Sequence, residues 1–173
     1  MKFNYYGFKA IYVHEMNRFL RTVGQSLLSP VISTSLYFVV FGSVIGGYIQ
    51  KIDGVSYGSY IVPGLLMLTL LTQSISNTSF GIFFPKFNGT INEILAAPIS
   101  TLETVLAFVG AGATKTLIVG AVIYVTATFF ADVSVKYPML MIFLLVLVSF
   151  TFALFGFMLL VNALVYRFMV QID

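Results

Sequence analysis

Three stretches of this chain carry no charged residue at all: Thr22 to Gln50, Gly54 to Pro85 and Tyr137 to Tyr166. Crossing the roughly 30 Å hydrocarbon core of a bilayer takes about 20 apolar residues in a helix. Each run is long enough, and nothing else constrains the fold as strongly. A fourth stretch, Thr104 to Ala131, qualifies apart from Lys115. The expected fold is therefore all-α, a multi-pass transmembrane helical bundle. Its four spans are placed near 25–47, 60–83, 112–131 and 139–161, with short polar links between them. Only 9% of the 173 residues are charged, against about 25% in a soluble domain. So few charges cannot cover a water-facing surface.

The apolar core of the first run is too long for a cleaved signal peptide, and no small-residue cleavage site follows it. Cysteine is absent, which excludes disulfides, thiolate nucleophiles and cysteine metal sites. The net charge of +3 is spread along the chain. It reads as topology information, not as a nucleic-acid footprint. Lys2, Lys9, Arg18, Arg21, Lys86 and Arg167 flank one side of the spans, and Lys51 and Lys136 the other. By the positive-inside rule, both ends and the loop at 84–103 are expected in the cytoplasm.

The segment YGFKAIYVHEMNRFLRTVGQ has helical periodicity. At about 100° per residue, Phe8, Tyr12, Val13, Met16, Phe19 and Leu20 share a face, and His14, Asn17, Arg18 and Arg21 gather opposite. Ile11 and Glu15 fit neither face well. The pattern predicts an N-terminal interfacial helix with its aromatic side in lipid and its basic side toward head groups or a partner. His14 is the sole histidine and is read as an interfacial polar residue.

Within the spans, GSVIG sets Gly42 and Gly46 in a small-xxx-small spacing that favours close helix approach. TLLTQSISNTSFG carries Thr69, Thr72, Gln73, Ser76, Asn77 and Ser79, polar groups that should face the bundle interior or a water-filled cavity. Two readings stay open for them: part of a translocation path, built on Thr69, Gln73, Ser76 and Asn77, or interhelical hydrogen bonding. A lysine at mid-bilayer is costly, so the third span is started near 112, where Lys115 can snorkel to head groups. No paired carboxylates, His–Asp set or phosphate-binding glycine loop is legible. Any uphill transport would draw its energy from a partner.

The polar interruption KFNGTINEILAAPISTLE holds two capping boxes, Thr90–Glu93 and Ser100–Glu103. Pro98 separates them and disfavours helix in the residue before it. The expectation is a short amphipathic helix with Ile91, Ile94 and Leu95 on its apolar side, then a break, then a helix running into the third span. It serves either as a docking helix for a cytoplasmic protein or as a structured turn.

HEMNRFLRTVGQSLLSPVISTSLYFVVFG, then YIVPGLLMLTLL, then FNGTINEILAAPIS, in that order and spacing, resemble the ABC-2 type permeases, the membrane subunits of bacterial ABC exporters. The nearest likeness is to the inner membrane transport permeases of that family. The resemblance implies a permease that forms a homodimer in the bacterial inner membrane and exports a substrate from the cytoplasm. A separate ABC ATPase subunit binds the ATP, so the chain is no enzyme and carries no cofactor of its own. It also implies a short cytoplasmic coupling helix at about Asn88 to Pro98, with Gly89, Thr90, Glu93 and Pro98 matching the pattern, and Glu15, Arg18 and Arg21 matching the interfacial helix. Family members continue for about two more spans, so an inactive truncated fragment or a non-transporting membrane protein is the alternative. A four-span proton-coupled multidrug transporter is a further one, disfavoured because no span carries a carboxylate.

Overall fold

The computed structural model describes residues 3–45, 48, 51–52, 54–131, 133 and 135–170. Helix α1 spans Tyr5–Arg21 and α2 spans Val23–Tyr37. The helix continues with wider π-type turns over Phe38–Ile45. A two-strand hairpin follows, β1 (Lys51–Ile52) against β2 (Val55–Ser56), antiparallel, with Lys51 opposite Ser56 and Ile52 opposite Val55. Then come α3 (Tyr57–Phe87), α4 (Ile91–Ala96), α5 (Thr101–Thr128) and α6 (Pro138–Val170). The fold is an all-α bundle, and four of its helical runs are long and apolar enough to cross a membrane: Val23–Gly42, Tyr57–Phe87, Thr101–Thr128 and Pro138–Leu164.

Helix α5 is the axis on which the others pack. Its most apolar stretch is 67% buried, against 17% for the corresponding stretch of α6. The reason lies in its composition. Ala107, Ala111, Gly112, Ala113, Gly120 and Ala127 line its buried faces, and small side chains let neighbouring backbones come close where lipid offers no hydrophobic drive for association. A methyl group added at Gly112 would run into the side chain of Thr78 on α3. Gly156 of α6 is as tight: a Cβ there would lie 2.7 Å from the Ile75 carbonyl oxygen. Around this core, α6 turns Ile142, Phe143, Leu147, Phe155 and Met158 outward. Such a continuous apolar exterior fits lipid and not water.

Two local rules set the ends of α5 and α6. Ser100 is extended (φ −74°, ψ 154°), and its hydroxyl accepts from the Glu103 N–H at 3.3 Å. The Glu103 carboxylate in turn accepts from the Ser100 N–H at 2.8 Å. The box satisfies two of the unpaired donors at a helix start. Pro138 opens α6, where its missing N–H costs nothing.

The structure departs from the sequence expectations in four places. First, Lys115, on a helix that starts at Thr101 as the Ser100 box predicts, is buried against Glu15 of α1. It does not snorkel. Second, Phe19 of the expected lipid-facing side of α1 turns inward. The helix buries Ile11, Glu15 and Phe19, while Val13 and Leu20 are exposed. Helix α1 runs alongside the first half of α5 in parallel, with Asn4 bonded to Glu103, Tyr12 to Thr114 and Glu15 to Lys115. The packing stripe is therefore i, i+4, i+8 through the two residues that fitted no face. Third, Thr90 is helical (φ −69°, ψ −11°) and makes no side-chain cap; its hydroxyl donates back to the Pro85 carbonyl at 3.3 Å. Fourth, Gly42 meets no neighbour within 4 Å, so the close approaches come from glycines on α5 and α6. Gly46 lies outside the described residues.

Candidate functional site

Gly89, Thr90, Glu93 and Pro98 come together at one end of the bundle, on and around α4. Gly89 takes a positive φ of 78°, the left-handed conformation that a side chain disfavours. This turns the chain sharply after α3. Helix α4 then runs for six residues with none buried. Ala97 is extended (φ −70°, ψ 148°), as the residue before a proline must be, and the chain re-enters helix at the Ser100 box. The Pro98 carbonyl accepts from Asn4 Nδ2 at 3.1 Å, and the Asn4 N–H donates to Glu103 Oε1 at 2.6 Å. The chain just after the short helix is thus tied to the starts of α1 and α5, Ile94 packs on the core cluster of Ile11, Ile82, Ala107 and Phe108, and Asn92, Glu93, Leu95 and Ala96 are left exposed. Beneath it, a cavity of about 260 Å³ is lined by His14, Glu15, Thr90, Glu93 and Ile94 among others.

The interfacial-helix residues separate. Arg21 is exposed. Glu15 and Arg18 belong to a cluster that the sequence did not assemble. Glu15 Oε2 accepts from Lys115 Nζ at 2.7 Å and from Arg18 Nη2 at 2.8 Å. Glu15 and Lys115 are buried, whereas Arg18 remains 29% exposed and stacks over the Phe84 ring at 5.3 Å. The second carboxylate oxygen, Oε1, is buried without a partner. Gly81 of α3 makes the room, since its Cα faces the carboxylate. The signal for this pairing was in the sequence as two misfits, an acid on the wrong face of α1 and a lysine inside an apolar span. A charge buried alone is far costlier than a paired one, so two such misfits are natural partners.

The polar stripe of α3 divides as well. Thr69 and Gln73 line an open cleft of about 270 Å³ between α2 and α3, together with Ser33 and Thr34. Thr69 returns its hydroxyl to the Leu65 carbonyl at 2.8 Å. Asn77 turns instead toward α5 and donates to Thr116 Oγ1 at 3.4 Å, and Ser76 is exposed. The fully buried polar residues of α3 are Ser74 and Thr78, one helical position away, and their hydroxyls have no partner among the described residues. Of the predicted stripe, Asn77 and Ser79 bond across to α5 and α6, as the interhelical reading expects, while Ser76 is exposed and Thr69 and Gln73 line the open cleft.

A family model described as ABC-2 type transporter matches residues 6–172. Among curated proteins, the inner membrane transport permease YadH of Escherichia coli strain K12 is 36% identical over 148 residues, which is 86% of this chain and 58% of the relative. The proteins of the same name from Escherichia coli O157:H7 and Shigella flexneri match equally. The chain thus spans a little over half the length of the curated relatives it matches. No solved structure matches.

Proposed function

Because the chain belongs to the ABC-2 type transporter family, as a transport permease in a membrane, we propose that it exports a solute from the cytoplasm under the drive of a separate ABC ATPase subunit. ATP is bound and hydrolysed on that partner. The permease contributes alternating exposure of a path between its helices and no bond chemistry. In this reading the chain sits in a bacterial inner membrane as a dimer, with both ends and α4 in the cytoplasm, and Thr69, Gln73, Ser76 and Asn77 belong to the path. The dimer fits the outward turn of Thr69, Gln73 and Ser76, since polar groups facing away from one chain can face the axis between two.

The observation that carries the proposal is α4 itself. It is a short helix with Asn92, Glu93, Leu95 and Ala96 exposed and Ile94 packed on the core below, tied at its C-terminal root, at the end of a bundle that otherwise presents apolar surface. The link after α4 meets α1 through the Pro98–Asn4 bond, and Asn4 in turn meets α5 through Glu103, so a push on α4 has a route to both helices. Gly89, Thr90, Glu93 and Pro98 are the residues assigned to docking.

The chain has no cysteine, so Asn92→Cys introduces a single thiol on α4. Bifunctional crosslinking in native membranes is expected to join it to a nucleotide-hydrolysing subunit. A thiol that labels freely from the cytoplasmic side yet yields no such adduct sinks the docking assignment. Labelling only from the opposite side sinks the topology.

A further inference from the structure

We propose that the cleft beside the Glu15–Lys115 pair is a binding site for a singly charged phosphodiester anion, of the kind carried by an anionic phospholipid head group. The cleft, of about 330 Å³, lies between α1, α2, α3 and α5, and both cations of the cluster line it. Glu15 does not line it; that residue lines the cavity under α4 on the other side. The cluster is therefore a partition with a positive side. Two cations share one carboxylate, which leaves one positive charge unbalanced on the cleft wall.

The donors are also unspent. An ammonium offers three N–H groups and a guanidinium five. Among the described residues, Lys115 uses one bond and Arg18 one, both on the same oxygen. Lys115 is buried, so its free donors point into a place where unsatisfied polar groups are expensive. Gln25 and Asn77 add amide donors along the same wall. A phosphate oxygen set would satisfy these groups and cancel the residual charge, and guanidinium geometry suits phosphate.

The position fits a lipid source. Arg18 lies one turn before Thr22, where the charge-free run through Gln50 begins, and Lys115 is the last charge on α5. The cleft stands where the charged end of the bundle gives way to its apolar body, the level at which head groups meet a span. Phe19, Phe80 and Phe84 form its apolar lining, against which acyl chains can lie.

The test uses the chain purified in detergent, with native mass spectrometry counting retained phosphatidylglycerol against phosphatidylcholine. Phosphatidylglycerol is expected to be retained about tenfold more tightly, the worth of one charge-assisted contact pair. Arg18→Gln, which leaves the Glu15–Lys115 pair intact, should abolish the preference. Arg21→Gln, which removes the same charge away from the cleft, should leave it. Ser26→Glu, which puts a carboxylate into the cleft from α2, should abolish it independently of Arg18. Displacement of the lipid by millimolar inorganic phosphate identifies the bare anion as sufficient, and retention identifies the lipid as the ligand. Equal retention of both lipids by the unaltered chain, or equal losses from Arg18→Gln and Arg21→Gln, overturns the proposal.

Discussion

Glu15 on α1 and Lys115 on α5, 100 residues apart in sequence, are joined at 2.7 Å with both side chains buried. A pair of this kind adds little net stability, because taking both charges out of water offsets their attraction. Removing one partner is another matter. Glu15→Ala leaves the Lys115 ammonium uncompensated in the core and is expected to destabilise the chain by about 3–5 kcal/mol. The double variant Glu15→Gln/Lys115→Met keeps similar volumes without either charge and should recover most of the loss. Thermal melting in detergent measures both. A double variant no better than Glu15→Ala would show that shape, not charge, is what the site requires.

The two caps flanking α4 give a contrast within one loop. Ser100 makes its cap, so Ser100→Ala should cost about 1 kcal/mol. Thr90 makes none, so Thr90→Ala should stay within about 0.5 kcal/mol. Glu103→Ala should cost more than Ser100→Ala. Its carboxylate accepts from both the Ser100 and Asn4 N–H groups, so its loss strands two donors where Ser100→Ala strands one. Chemical denaturation of the three variants ranks them, and Thr90→Ala as damaging as Ser100→Ala would contradict the observed geometry.

What the sequence made legible follows the range of the interactions. The apolar runs read directly as helices, since length and composition are local properties. The Ser100 box was legible because its four residues and an extended cap suffice. Its counterpart at Thr90 has the same letters but fails, because Gly89 turns the chain so that Thr90 is already helical, and a helical residue cannot reach forward to cap. The cluster of Glu15, Arg18 and Lys115 was invisible to periodicity, which compares neighbours on one helix, while this contact joins two. Lys115 was read as snorkelling to head groups for the same reason: its counterion lay on another element.

Glycine contacts on α3 should answer differently to repair. At Gly112 the obstacle to a methyl group is the Thr78 side chain, with Thr78 Cβ 3.2 Å from the added atom. Gly112→Ala should cost about 1–3 kcal/mol, and Thr78→Ala in the same chain should return part of it. At Gly156 the obstacle is the Ile75 backbone, with its Cα 2.8 Å away. No side-chain truncation can relieve that contact, so Gly156→Ala should resist rescue and should also weaken the bond from Ser79 Oγ to the Gly156 carbonyl, 3.0 Å long. Melting temperatures of the singles and the Gly112→Ala/Thr78→Ala double decide the matter; rescue of Gly156→Ala by a distant α3 truncation would mean the helices can slide apart cheaply.

Pro98 and Glu93 separate the shape of α4 from its charge. Pro98 keeps Ala97 extended and so keeps α4 and α5 as two helices. With Pro98→Ala the restraint on residue 97 is lifted, and α4 can extend toward α5, which carries the exposed surface to a new angle. The Asn4 bond to the carbonyl at 98 is to backbone and survives the change in chemistry, so the bundle itself should remain folded. Glu93→Lys alters no described hydrogen bond of its side chain and reverses one exposed charge. If α4 is the element on which an ATPase subunit presses, both variants should express and melt normally while the crosslink from Asn92→Cys falls several-fold. Glu93→Lys should lower it more at low salt than at high salt, because an exposed ionic contact is screened, and Pro98→Ala should lower it equally at both. Normal crosslinking in both variants would return α4 to the status of a turn between two spans.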